Sequence, residues 1–244
     1  MFIAKVTPSS SSRCARIREF RTGTPPSSRV CHRNVGGILA ADGHGAAAIV
    51  HAPGVHRVGP EGRTVKGEDK KITFDVKGFF QSNVGMLEKT IEIIKKDFGG
   101  QHLLDMYAGV GTFSTFLSDN FTKTTLVEHN RDAISLAEIN LHGKNHESYG
   151  VSGEKWVNEY ADKIKTEFDG VVIDPPRSGM EKSVLKWLCS SNIPSIRSVS
   201  CDPITHARDI KELVKNGYNL KEIYLLDYYP QTTHIESLVI LEKD

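Results

Sequence analysis

Cysteine is scarce in this chain: four in 244 residues, at positions 14, 31, 189 and 201. They form no CxxC pair and share no repeated spacing, which argues against a zinc site or a disulfide framework and fits a reducing compartment. Long apolar runs are also lacking. Stretches such as Ala46 to Val50 and Val171 to Ile173 fall far short of the roughly 18 residues a membrane-spanning helix needs, so no transmembrane segment is expected. The chain has no internal repeats. Acidic residues are nearly missing from residues 1–35, where Glu19 stands alone among Ser, Arg and Pro.

What is present suits one sizeable core with a small extra lobe: hydrophobic residues make up 39% of the chain and glycine occupies 21 positions. The near balance of 31 Lys+Arg against 30 Asp+Glu hides an asymmetry. Residues 1–66 carry 10 basic and 3 acidic side chains, leaving 21 and 27 for the rest, or net charges of about +7 and −6. Such a skew points to polyanion binding or targeting at the N-terminus. With no sustained period, residues 1–35 are expected to be a disordered basic tail. Their Arg- and Ser-rich, acid-poor composition equally describes an organellar transit peptide or the product of a misassigned start. Residues 36–66 support only short strands or loops.

From residue 70 the periodicities sharpen. Ile72, Phe74 and Val76 alternate as in a strand, and Leu87, Ile91 and Ile94 follow at helical spacing. Then come strand His102 to Tyr107, a helix near Phe113 to Leu117, strand Thr124 to Glu128, and a helix near Asp132 to Leu141. Strand Gly170 to Asp174, a helix near Lys182 to Cys189, strand Ile196 to Ser200 and a helix ended by Asn216-Gly217 continue the alternation. Cys189, in Trp187-Leu188-Cys189, reads as a buried helix residue. This pattern implies a doubly wound, mostly parallel seven-stranded sheet covered by helices. The last two runs, Leu220 to Tyr228 and Ile235 to Leu241, are too close for a helical crossover and should pair antiparallel. A dinucleotide dehydrogenase would normally lack that closing hairpin; a class I methyltransferase would have it.

Asp105-Met106-Tyr107-Ala108-Gly109-Val110-Gly111-Thr112-Phe113 carries a hydrophobic strand into a glycine turn at a helix start, which lets backbone approach a ligand closely. Glu128, ending the next strand, can accept both hydroxyls of a ribose. The third glycine of a pyrophosphate-binding GxGxxG is Ser114 here, which favours S-adenosylmethionine over NAD. Asp105 is positioned in the sequence to attract the cationic methionine portion. A turn serving packing alone is the structural alternative.

Asp174-Pro175-Pro176-Arg177 places a carboxylate and a rigid loop at a strand end, with Arg177 available to RNA phosphate. The motif lacks the aromatic residue with which DPPY methyltransferases stack a base. Other chemistry is offered by Ser200-Cys201-Asp202-Pro203, a thiol just before a helix whose N-terminus favours thiolate. Carbon 5 of uracil is a poor nucleophile until a thiolate adds to carbon 6. A base must later take the carbon 5 proton. Glu236 is suited to that role if apolar walls raise its pKa. Taken singly, the plainer readings prevail: Cys201 as a core thiol, Glu236 as a strand-edge carboxylate and His234 as a loop hydrogen-bonder.

Together Phe79-Phe80-Gln81-Ser82-Asn83, Asp105 to Phe113, Val127-Glu128, Asp174 to Arg177, Ser200 to Thr205 with Ala207-Arg208-Asp209, and Thr233 to Glu236 closely resemble the RNA (uracil-5-)-methyltransferase family over residues 70–244. The resemblance implies a Rossmann-like catalytic domain with Cys201 as nucleophile and Glu236 as proton acceptor. It places Gln81, Tyr107, Thr112, Glu128 and Asp174 around S-adenosylmethionine. Structured RNA, transfer or ribosomal, is the implied partner of a cytoplasmic monomer, with organellar targeting as the N-terminal alternative. No upstream cysteine cluster is present, so no iron–sulfur centre is expected and no metal site is assigned. The stretch before residue 70 is too short for the family's RNA-binding barrel and complete central lobe; residues 36–69 read as a remnant of that lobe. A compact member, a truncated gene product and a catalytic half working with a partner all fit. Methylation of RNA cytosine and a non-catalytic RNA-binding relative are the rival functions.

Overall fold

The computed structural model describes residues 2–7, 16–21, 63–65, 70–74, 81, 83–163 and 167–243. The strands are β1 (Phe2–Thr7), β2 (Arg16–Arg21), β3 (Arg63–Val65), β4 (Lys70–Ile72), β5 (Gly100–Met106), β6 (Phe121–Val127), β7 (His146–Tyr149), β8 (Gly170–Ile173), β9 (Ser195–Ser200), β10 (Asn219–Leu226) and β11 (Glu236–Glu242). The helices are α1 (Val84–Lys95), α2 (Thr112–Leu117), α3 (Arg131–Asn140), α4 (Gly153–Glu159), α5 (Lys182–Ser190) and α6 (Pro203–Lys215).

Nine strands form one sheet in the order β2-β1-β10-β11-β9-β8-β5-β6-β7, while β3 and β4 pair separately. Strands β9-β8-β5-β6-β7 run parallel. β11 inserts antiparallel between β9 and β10, which is the expected closing hairpin. The seven strands from β10 to β7 form a doubly wound, mostly parallel sheet, six of them at the runs read from the sequence and β7 as the seventh. Residues on successive strand positions face opposite layers. Leu103, Val172, Val199 and Leu238 pack with α1 and α2, whereas Leu104, Val171, Ile196 and Val239 pack with α4, α5 and α6. Covered on both faces, β8 is apolar throughout, while β5, β6 and β9 also bury polar side chains such as His102, Asp105, Thr125 and Arg197. Ala108, Leu126, Ile134, Ala137 and Leu141 form a smaller cluster under α3.

Three differences from the sequence expectations stand out. Residues 2–7 and 16–21, placed in a disordered tail, form strands: β1 lies antiparallel on the edge of β10 with Ile3 opposite Leu226, and β2 on β1. An unpaired edge of β10 offers hydrogen bonds that local periodicity cannot register. The rest of the 1–69 expectation lies largely outside the described residues. The alternation at Ile72 and Phe74 gives only the short strand β4, with Val76 outside them. Finally, β7 and α4 were not anticipated. β7 is an edge strand without buried side chains, and α4 is seven residues long with Trp156 as its buried anchor, so neither carries a period. No helix among the described residues is long and apolar enough to cross a membrane.

The chain runs from β5 outward to β6 and β7, then returns to β8 and runs outward the other way. The crevice between β5 and β8, at their C-terminal ends, is the topological switch point where such sheets bind ligands.

Candidate active site

The turn after β5 opens that crevice. Tyr107 has φ of 66°, Gly109 54° and Gly111 72°, so the backbone turns left-handed three times in five residues. Gly111 is also closely packed: a Cβ there would lie 3.0 Å from the Cβ of Ala137. The strained non-glycine Tyr107 is held by its hydroxyl, which accepts from the Glu181 amide at 3.2 Å and contacts that carboxylate at 3.4 Å. Glu181 in turn accepts from the Glu154 amide at 2.8 Å, tying α4 and α5 to the turn.

A cavity of about 1120 Å³ fills the crevice, and Gln81, Tyr107, Thr112, Glu128 and Asp174 all line it. The cofactor-binding residues expected from the sequence therefore share one chamber. Glu128 is 8% exposed and is aimed by the Gly109 amide on one oxygen, at 3.0 Å, and the Asn130 amide on the other, at 2.7 Å. Two fixed donors still leave carboxylate lone pairs free for a ligand's hydroxyls. Val151, Ser152, Gly153 and Glu181 line the same cavity without having been anticipated. Ser152 caps α4 through its side chain, and a capping serine is the local signal that could have found this wall.

Asp105 departs from expectation. Its carboxyl is 1% exposed and turned into the start of α2, where it accepts from the Ser114 amide at 3.1 Å and hydroxyl at 2.5 Å. It does not line the cavity. Burial, only partly offset by Ser114, pushes its pKa up to about 7. Ser114 thus has a task of its own: it bonds the buried acid rather than merely replacing a glycine.

Beyond Asp174 lies the chemistry-bearing pair. Glu236, at the start of β11, is 2% exposed, and burial, helped by the charge of Asp174, raises its pKa to about 7. Gln81 donates to it through a long 3.5 Å contact, and Gln81 Oε1 and Glu236 Oε2 are both buried without a partner. Asn83, capping α1, donates to the Tyr228 carbonyl at 3.0 Å and so fixes the neighbourhood of Gln81 to the end of β10. Burial raises the Asp174 pKa to about 6.

Cys201 is half-buried at the end of β9. The expected acidification by α6 is not seen. Burial first, then the charge of Asp174 and more weakly that of Glu236, raise the thiol above its ordinary value, and the adjacent Arg177 guanidinium opposes them. The helix end is already satisfied, because Asp202 accepts from the Ile204 and Thr205 amides at 2.9 Å each. Ser237 pairs with Ser200 across β11 and β9, so Glu236 and Cys201 sit together at adjoining strand ends, and Asp174 and Arg177 act on the thiol from the end of β8. His206 braces them from below: Nδ1 is 2.7 Å from Ser237 Oγ and Nε2 is 2.9 Å from Ser198 Oγ, linking β11 to β9. Burial lowers its pKa to about 4, so this brace is neutral. The loop after β8 is pinned by Asp209, which accepts from the Met180 amide at 2.8 Å. Gly179, at φ 84°, has no room for a Cβ, which would stand 2.5 Å from Asp209 Oδ2.

Comparison with known proteins agrees with this geometry. The family model for tRNA (uracil-5-)-methyltransferases matches residues 62–244. An uncharacterized RNA methyltransferase of Treponema denticola is 41% identical over 72% of this chain and 47% of its own length. One from Thermotoga maritima is 35% identical over 68% of this chain and 38% of its own. Among solved structures, the tRNA (uracil-54, C5)-methyltransferase of Pyrococcus abyssi, in complex with S-adenosyl-L-homocysteine, is 30% identical with a TM-score of 0.62, covering 71% of this chain and 42% of that one. A methyltransferase of Leishmania major, 15% identical with a TM-score of 0.52 over 66% of this chain and 74% of that one, shares the fold. The chain spans less than half the length of the first three relatives. On the extent of the family match, the chain belongs to the tRNA (uracil-5-)-methyltransferase family.

Proposed function

We propose that the chain transfers a methyl group from S-adenosylmethionine to carbon 5 of a uridine in RNA, through a covalent adduct of Cys201 at carbon 6. The observation that carries this reading is the juxtaposition of a thiol and a desolvated carboxyl, Cys201 and Glu236, with Asp174 acting on both from the cavity wall. The tRNA (uracil-54, C5) activity named for the Pyrococcus abyssi protein favours transfer over ribosomal RNA.

The cavity suits the methyl donor: it offers an oriented carboxylate at Glu128, an open approach at Gly109 and a buried, unpartnered acceptor at Gln81 Oε1. Glu128 would take the ribose hydroxyls, while Gln81 and Asp174 would face the polar end. S-adenosylmethionine supplies an electrophilic methyl group there. Cys201 gives its proton to solvent and its sulfur adds to carbon 6, which makes carbon 5 nucleophilic; carbon 5 takes the methyl, and the broken S–CH3 bond leaves its electron pair on departing S-adenosylhomocysteine. Once carbon 5 carries the methyl, Glu236 takes the proton from that carbon. The C6–S bond then breaks, returning the electron pair to sulfur and aromaticity to the ring. A carboxyl with a pKa near 7 is matched to that proton transfer.

Incubation of the protein with tritiated S-adenosylmethionine and tRNA should label 5-methyluridine. Cys201→Ala should lose more than about 1000-fold of this activity and all adduct with 5-fluorouridine RNA. Label in 5-methylcytidine, or unchanged activity in the variant, overturns the reading.

A further inference from the structure

We propose that Ile204 is a wedge: an apolar side chain that enters the stack of a structured RNA and fills the place of the target base once that base has turned toward Cys201. The proposal rests on the uridine-methylation reading above. It adds an interaction surface to which neither the family match nor the relatives assign a role.

Ile204 is 83% exposed, against 59% for Ile139 and 42% for Val214, the other exposed large hydrophobics among the described residues. Single exposed apolar residues are common and need no explanation by themselves. Ile139 closes α3 and Val214 lies in the last turn of α6, so both fit that ordinary pattern. Ile204 differs in place and in rigidity. It stands in the first turn of α6, three residues after the nucleophile, on the C-terminal edge of the sheet where Asp174, Cys201 and Glu236 meet.

Its backbone is locked on every side. Pro203 sets the first helical position, Asp202 accepts from the Ile204 amide at 2.9 Å, and the Thr205 hydroxyl donates to the Arg177 carbonyl at 3.0 Å. A β-branched side chain in a helix is held to essentially one rotamer. The protein thus presents a stiff apolar group to water, and ordering it against a partner costs little entropy. Burying it is the favourable step that such rigidity prepares.

The surroundings identify the partner as nucleic acid. Arg177, exposed on the adjoining loop, supplies a cation for phosphate. Before β11, half-buried Tyr229 and exposed His234 flank the loop 230–233 as an aromatic pair, with ring centroids 6.3 Å apart. A cation, a stiff apolar projection and aromatic rings bordering one thiol make up the chemistry that recognises an RNA base and its flanking phosphates. Enzymes that act on a base must take it out of its stack, and an inserted apolar side chain offsets the lost stacking.

The test uses the full chain and two synthetic RNAs. One is a stem–loop with a single 5-fluorouridine in its stem and 2-aminopurine on the 3′ side; the other is an unstructured strand with the same label. Ile204→Ser should lose at least tenfold of the fluorescence rise and of the adduct-forming rate on the stem–loop, yet stay within twofold of wild type on the unstructured strand. Ile204→Leu should restore most of the difference. Equal loss on both RNAs, or no loss on the stem–loop, overturns the wedge. Failure of the methylation reading shows separately, as absence of any adduct between wild type and the unstructured strand, whereas the fluorescence reports unstacking without chemistry.

Discussion

The two walls of the crevice treat their polar groups in opposite ways. On the β5–β6 side, the lining carboxylate of Glu128 is held by two backbone amides, and Asp105, behind the lining and itself raised by burial, is bonded twice to Ser114. On the β8–β11 side, Asp174 and Glu236 are desolvated, repel each other, and leave Glu236 Oε2 and Gln81 Oε1 without partners. The first wall is preorganised for holding a ligand. The second keeps proton-active groups poorly satisfied, which raises the two carboxyls into the range where they exchange protons near neutrality and lifts the Cys201 thiol above its ordinary value. One fold accomplishes both because the switch point separates them.

The largest effect that tests this contrast lies at Glu236. If it acts only after methyl transfer, Glu236→Gln should lower turnover about 100-fold or more, yet still complete one transfer and accumulate protein–RNA adduct on a denaturing gel. Turnover without adduct would dissolve the distinction between the two walls. On the binding wall, Glu128→Ala should raise the Kd for S-adenosylhomocysteine by about 10- to 100-fold, the loss of one or two charge-assisted hydrogen bonds, measured by titration calorimetry. A large fall in kcat with unchanged Kd would instead move Glu128 to the reacting side.

A smaller effect sharpens the reacting wall itself. Asp174 raises the Cys201 thiol more than Glu236 does. Asp174→Asn should therefore shift the pH profile of Cys201 alkylation downward, and Glu236→Gln should shift it less in the same direction. No shift in either variant would mean that burial alone governs the thiol.

Much of this arrangement was legible in the sequence where periodicity and turn chemistry coincide. The unit from β5 through α3 announces itself by apolar strands and glycine turns. The end of α6 is marked by Asn216-Gly217, where Asn216 caps and Gly217 takes φ of 97°. Gln81, Tyr107, Thr112, Glu128 and Asp174 were legible through motif resemblance and share the cavity. The direction of a side chain was not legible. Asp105 sits beside the glycine turn in sequence but points into α2, and Cys201 precedes a helix whose N-terminus Asp202 has already claimed. Nor could sequence show the His206 brace, since its partners Ser198 and Ser237 become neighbours only when β11 inserts beside β9. Pairwise electrostatics belong to tertiary structure, and no local period encodes them.

The last and smallest effect is on stability. Folding raises the Glu236 pKa from 4.5 to about 7. A carboxyl raised in this way contributes its full relative stability below pH 4.5 and loses it as pH climbs from 4.5 through about 7, where the buried group must ionise. Glu236→Gln, which keeps an amide beside Gln81 but cannot ionise, should match wild type near pH 5. At pH 8 it should exceed wild type by on the order of 2–3 kcal/mol, read as a pH-dependent gap in urea midpoints. The variant would then be both more stable and nearly inactive in turnover, as expected where function keeps a destabilised group in place. A gap independent of pH would mean that the burial of Glu236 is compensated after all, and that the two walls differ in position rather than in kind.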